Sequence, residues 1–133
     1  MRTTVARRNE ALDSIRDDAN SGRLRFYSGT RPADADAALS GNTMLVECVM
    51  NAAAFAAASN GAIVANAITG GAAAATGTAS FARLFRSDGT TPICDLSVSA
   101  TGGGGEIQMS TTAVVAGVAV TVPALTITLP VGT

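Results

Sequence analysis

Apolar residues recur along this chain with two different periods, and the change falls near residue 22. Over residues 4–20, Val5, Leu12, Ile15 and Ala19 lie near one face at a spacing close to 3.5, which predicts a helix. Asn20, Ser21 and Gly22 stop it. From there the period is two. "RLRFYSG" sets Leu24 and Phe26 against Arg23, Arg25 and Tyr27, a half-buried strand. "TMLVECVM" places Met44, Val46, Cys48 and Met50 on one face and Leu45, Glu47 and Val49 on the other. "AIVANAI" (62–68) predicts a further short strand. Phe81 to Arg86 and Ile93 to Val98 predict a hairpin about the turn "SDGT" (87–90). "EIQMS" reads as a brief strand. Val118, Val120 and Val122, then Leu125, Ile127 and Leu129, alternate toward the end, with Pro123 marking an edge or a bend.

Seven or eight short strands with one clear helix predict a mainly β chain, an antiparallel β-sandwich or jelly roll behind an N-terminal α-helix. Residues 1–22 read as a helical arm and 23–133 as the β-domain. Residues 29–42, "GTRPADADAALSGN", form a turn-rich loop, and "TGGGGE" (101–106) reads as a flexible one. Those glycines have no phosphate-loop lysine and no following amphipathic helix, so they do not predict a nucleotide site.

Residues 50–81, "MNAAAFAAASNGAIVANAITGGAAAATGTASF", carry no charge. Asn60-Gly61 and Gly70-Gly71 cut the run into pieces too short for a stable helix. "NAAAFAAAS" is expected to make a turn or so of helix that tucks Phe55 into the core. Large apolar residues are too few here for membrane insertion, and the uncharged C-terminal stretch is β-branched, alternating and proline-containing, so no membrane span is predicted.

Composition adds a charge asymmetry. The 133 residues carry a net charge of −1, which gives no reason to expect nucleic acid or an anionic membrane as partner. Residues 1–36 hold seven arginines and six acids, whereas the remaining 97 hold only Arg83, Arg86, Glu47, Asp88, Asp95 and Glu106. Ordinary domains carry about 25% charged residues. Much of this β-domain is therefore expected to face protein or to be coated with Thr, Ser, Gly and Asn. The helix has its charges the wrong way round: Arg7 and Arg8 near its positive end, Asp17 and Asp18 near its negative end, and Asp13 repelling Asp17. Such a helix needs something to pack against, and an arm ordered in an assembly is one answer.

Candidate chemistry is sparse. The chain has no histidine and no lysine, so its Ser and Thr hydroxyls lack a base, and zinc or Cys-His sites cannot be built from it. Cys48 and Cys94 predict two buried thiols, with a disulfide as the alternative in an oxidising compartment. Asp34 and Asp36 are too few for calcium, and Asp88 suits the turn. Arg83 and Arg86, among Phe81 and Phe85, suit a carboxylate or phosphate, or an inter-subunit salt bridge. No enzyme site, cofactor or metal is expected.

The order "LRFYSGTRPADADAALSG", "NAAAFAAASNGAIVANAI", "ATGTASFARLFRSDGTT" resembles a family of small virion proteins of tailed bacteriophages. The resemblance spans roughly residues 5–130 and rests on turn and strand motifs at Tyr27–Pro32, Thr76–Phe85 and Ser87–Thr91. It implies a capsid cement or decoration protein that binds the major capsid protein and copies of itself, with a tail or neck component as the alternative. It also implies location in the virion and assembly in the host bacterial cytoplasm. The expected protein-interface residues are Val5, Arg7, Arg8, Leu12, Ile15, Arg16, Arg83 and Arg86.

Overall fold

The strand alternation is realised. A computed structural model describes residues 1–131; the last two residues of the expected β-domain lie outside the described ones. In β1 (Arg23–Tyr27), Leu24 and Phe26 are fully buried while Arg23 and Arg25 are half-buried. β1 is flanked by β2 (Met44–Val49) and by β6 (Phe81–Phe85), and β6 by β7 (Pro92–Ala100). The predicted hairpin is β6–β7, with a register shift next to Phe85. The chain is mainly β and sandwich-like, with one helix among the described residues, α1 (Val5–Asp18), near its start.

The main sheet has seven strands in the order β2-β1-β6-β7-β8-β11-β3, where β3 is Ala62–Val64, β8 Ile107–Met109 and β11 Ala124–Thr128. One pair departs from the expected antiparallel pattern: β7 and β8 run parallel, Val98 opposite Ile107 and Ala100 opposite Met109. A parallel pair ordinarily needs a long crossover. Here "TGGGGE" folds back instead. Gly103 N donates to Ala100 O (2.9 Å) and Gly105 N to Ser99 Oγ (2.9 Å). A Cβ on Gly103 or Gly105 would lie 2.8 Å from Ser99 atoms, so glycine permits this return. The segment read as a flexible loop is a tight one, closed by Glu106 Oε1 accepting from Ser97 N (3.1 Å).

A second layer comes from the alanine run. β4 (Gly71–Ala72) and β5 (Gly77–Thr78) pair with β10 (Ala119–Val120) and β9 (Ala113–Val114). Both pairs share one register, which Ala73 N donating to Val118 O and Ala79 N to Thr112 O continue (2.9 Å each). Residues 71–79 and 112–120 thus follow one antiparallel register, a ribbon interrupted at 74–76 and, opposite, by a turn at 115–118 in which Val118 N donates to Val115 O (3.0 Å). The ribbon's other edge meets β2 through Ala74 N to Leu45 O (2.7 Å). Ala73, Ala79 and Val114 close over a core that includes Leu24, Phe26, Cys48, Leu84, Leu96, Ile107 and Leu125.

Two expectations change at the helix. The segment read as an arm is packed on its own chain, with Leu12 and Ala19 completely buried in that same core. The segment "NAAAFAAAS" forms no helical turn. Phe55 is buried as expected, but in extended backbone bridged to Ala65, with Ala56 N donating to Val64 O (2.9 Å). The reason lies on α1 and just beyond it. Asn9 Oδ1 accepts from Gly61 N (2.9 Å), Asp13 Oδ1 from Ala58 N (3.0 Å) and Asn20 Oδ1 from Ala54 N (2.9 Å). Amides held this way have no need of a local helix. The expected strand 62–68 is correspondingly shorter, ending at Val64.

Candidate functional site

On the sheet face opposite the core, β2, β1, β6 and β7 contribute a transverse row: Glu47, Arg25, Arg83, Asp95. Two arginines directly opposite each other on neighbouring strands repel. Each is offset by a carboxylate on its far side. Arg25 Nε donates to Glu47 Oε2 (2.6 Å) and Arg83 Nε to Asp95 Oδ1 (2.6 Å), with Arg83 Nη2 to Asp95 Oδ2 (3.0 Å). The hydrogen bonds that Arg83 donates to Asp95 raise its pKa above the usual range, outweighing the desolvation of its burial.

The rest of this face is aromatic. Tyr27 stacks on Phe81 at 5.5 Å between ring centroids, and the Arg25 guanidinium lies 4.7 Å from the centre of the Phe85 ring. Loop 29–42 covers part of it, because Arg83 Nη1 donates to Ala37 O (2.9 Å). Asp34 organises that loop by accepting from the amides of Asp36 (3.0 Å) and Ala37 (2.9 Å). Arg83 is therefore the hub that ties strand, neighbour strand and loop together.

The expected interface residues separate into two groups. Arg83 and Leu12 are in the interior of the chain's own fold and meet no outside surface. Arg83 found its counter-ion within the chain, which the short supply of charges had hidden. Arg8 is also mostly buried, its Nη1 donating to Thr3 O (2.6 Å) while its Nε has no partner. Ile15 is half-buried. Val5 and Arg7 are exposed, Arg7 beside Glu10. Arg16 lies 3.0 Å from Asp13 and 3.1 Å from Asp17, and exposed Arg86 pairs with Asp18 at 2.9 Å. These pairs offset the wrong-way charges of Arg7, Asp17 and Asp18, while Arg8 meets a backbone carbonyl instead.

The residues that sequence reasoning missed are the acceptors Asn9, Asp13 and Asn20, and the acids Glu47 and Asp95. The first three are spaced four and seven apart, which puts them on one side of a helix. That polar stripe beside an apolar face was the available signal.

Reactive chemistry is muted. Burial pushes the Cys94 thiol up to about 12, helped by Glu106 and Asp95, and burial also raises Cys48. Both cysteines are free; Cys48 is buried as expected, whereas Cys94 is only half-buried. They lie on one transverse row, Cys48–Leu24–Leu84–Cys94, three strand spacings or about 14 Å apart. A disulfide needs Cα atoms within about 7 Å. Asp88 is held down at about 2, chiefly by the Thr91 hydroxyl and then by the Thr91 and Thr90 amides, as a turn residue. Among the described residues, no cluster of three His, Cys, Asp or Glu side chains could hold a metal, and no helix is long and apolar enough to cross a membrane.

What the surface offers is area without charge. Of the six charged residues after position 36, Glu47, Arg83, Asp95 and Glu106 are buried or half-buried, which leaves Arg86 and Asp88 exposed. From Gly89 to Val131 no exposed residue is charged, while Val115 and Val118 are each more than half exposed. No protein-family model, curated protein or solved structure matches the chain.

Proposed function

We propose that this chain is a bacteriophage virion structural protein, a capsid cement or decoration protein that binds the major capsid protein shell and stabilises it. The observation that carries the reading is the absence of exposed charge from Gly89 to Val131. A free-standing domain keeps charge on its surface for solubility. Surfaces that stay covered in an assembly shed it, because a charge buried without a counter-ion is costly. The resemblance of the "YSGTRP", "TGTASFARLF" and "SDGTT" segments to phage virion proteins supplies the particular assembly. In this reading the chain has a structural role and is not a catalyst, takes no cofactor, and sits in the virion after assembly in the bacterial cytoplasm. The helix end with its exposed Val5 and Arg7 and the uncharged β-surface are the two regions left to meet partners.

Purified particles decide it. A shell protein is present on the order of hundreds of copies per particle, whereas a tail or neck component is present in about six or twelve. Quantitative gels count the copies, and cryo-electron microscopy places them on the shell or on the tail axis. Absence of the chain from purified particles would refute the virion reading altogether.

A further inference from the structure

We infer that Asn60-Gly61 is a latent deamidation site, which the docked helix α1 keeps closed by holding the Gly61 amide through Asn9. Asn60 is the only asparagine in the chain that precedes a glycine. In such a pair no side chain on the glycine shields its backbone nitrogen from the asparagine carboxamide. Attack of Gly61 N on Asn60 Cγ forms a new C–N bond and closes a cyclic succinimide. The Cγ–Nδ2 bond breaks, and the proton from Gly61 N ends on the departing nitrogen, which leaves as ammonia. Water then opens the ring at either carbonyl, giving aspartate at position 60 or its β-linked isomer. Nothing is oxidised or reduced, and water is the only co-reactant. The Asn60 carboxamide is exposed and has no hydrogen-bond partner among the described residues, so the electrophile is accessible.

The nucleophile is not. Ser59 N donates to Ala62 O (2.9 Å) and Ala62 N to Ser59 O (3.0 Å), so Asn60 and Gly61 are the two central residues of a tight hairpin turn. Both have positive φ, 52° and 74°, as the turn that favours Asn-Gly requires. Gly61 is also tied from outside the turn. Its N–H donates to Asn9 Oδ1 (2.9 Å) and its carbonyl accepts from Leu129 N (2.9 Å). The space beside it is filled, since a Cβ there would stand 2.8 Å from Arg8 Nε and 3.3 Å from Leu129 O. Attack requires the Gly61 nitrogen to give up the proton that Asn9 Oδ1 holds. It also requires the Asn60–Gly61 peptide to turn toward Cγ, which the bonds at both ends of Gly61 resist. Arg8 and Asn9 are neighbours on α1, so lifting the helix releases the bond and the packing together. Local openings of this kind cost less than global unfolding. The helix is thus a latch on the chemistry of the turn.

The inference is independent of the virion reading, and its test uses the purified full chain without particles. Mass spectrometry of the peptide spanning residue 60 follows deamidation during storage at neutral pH. The wild-type chain is expected to keep its amide in buffer and to lose it in strong urea. Asn9→Ala removes the acceptor and is expected to speed deamidation of the folded chain by about tenfold. Asn9→Asp keeps an acceptor oxygen at the same place and should stay as slow as wild type. Circular dichroism and thermal midpoint confirm that each variant is folded. Amide exchange at Gly61 in the wild-type chain reads the same opening without any variant, and its protection should match the slowing of the chemistry. A wild-type chain that deamidates as fast in buffer as in urea overturns the inference. So does a folded Asn9→Ala chain that deamidates at the wild-type rate, or a wild-type Gly61 amide that exchanges freely.

Discussion

Arg83 and Asp95 face each other across β6 and β7 as a two-point ion pair, at 2.6 Å and 3.0 Å, with only 5% and 8% of their side chains exposed. The pair sits where two arginines are adjacent in register, so its loss leaves more than one broken bond. Replacing Arg83 by Met strands the Asp95 carboxylate and removes the donor to Ala37 O. Breaking one partner of a buried pair costs about 3–5 kcal/mol. Arg83→Met is expected to lower unfolding stability by that order in urea titrations. Arg83→Met/Asp95→Leu, which removes both charges, should recover part of the loss. Equal stability of wild type and the single variant would show that the pair contributes nothing.

The contact between α1 and the alanine run yields a second expectation. Asp13 accepts from the Ala58 amide, one of three such acceptors along residues 9–20. Asp13→Ala leaves that half-buried amide without its acceptor, at a cost of about 1–3 kcal/mol. Amide exchange at Ala58 should accelerate, along with its neighbours, while exchange in the β6–β7 hairpin stays unchanged. Leu12→Ala should cost about 2–5 kcal/mol, because Leu12 has no exposed surface. If exchange across 5–18 is already fast in the wild-type chain, the helix is not docked in solution.

These contacts also mark the limit of what the sequence could disclose. The hairpin of Phe81–Arg86 with Ile93–Val98 was legible because its alternation and its Asp-Gly turn are local signals. So was α1, to within a residue or two. The extended form of "NAAAFAAAS" was not, because alanine's helix preference is weak beside amides captured from 40 or more residues away by Asp13 and Asn9. The parallel β7–β8 pair was hidden for a different reason. Four glycines announce freedom, but not that the chain returns against Ser99 to begin a neighbouring strand. At the site, Arg83 was singled out as an interface residue, and the structure gives it a counter-ion within the chain. Its partner Asp95 sits twelve residues on, and only strand register brings the two together.

The thiols give a pH prediction. Burial raises both cysteine pKa values, Cys94 to about 12, while an unfolded thiol ionises near 8.5. Above about pH 8.5 the unfolded chain loses these protons and the folded chain keeps them, so unfolding becomes more favourable as pH rises toward 12. Below that window the cysteines contribute no pH dependence. The thermal midpoint should fall between pH 8.5 and 11 in wild type, and fall less in Cys48→Ala/Cys94→Ala. The native thiols should also resist iodoacetamide at pH 8 until denaturant is added, and non-reducing gels should show no intramolecular disulfide. Rapid native labelling of Cys48, which has no exposed surface, would contradict its burial.

Gly71 offers the sharpest test of how the alanine run is placed. In the sequence, Gly70-Gly71 reads as a break between a strand and a small-residue connection. In the structure, a Cβ on Gly71 would stand 2.5 Å from Glu47 O, a backbone atom with no rotamer to yield. Gly71 is therefore a point of close approach, where β4 passes between β2 and β10. Gly71→Ala must push the ribbon away from β2 and loosen Ala73 and Val114 over the core. Overpacking of this kind costs about 1–3 kcal/mol. Ala72→Gly, at an exposed neighbour in the same strand, controls for backbone flexibility and should cost about 0.5–1 kcal/mol. If Gly71→Ala proves as stable as wild type in urea, the ribbon does not lie against β2 at this distance.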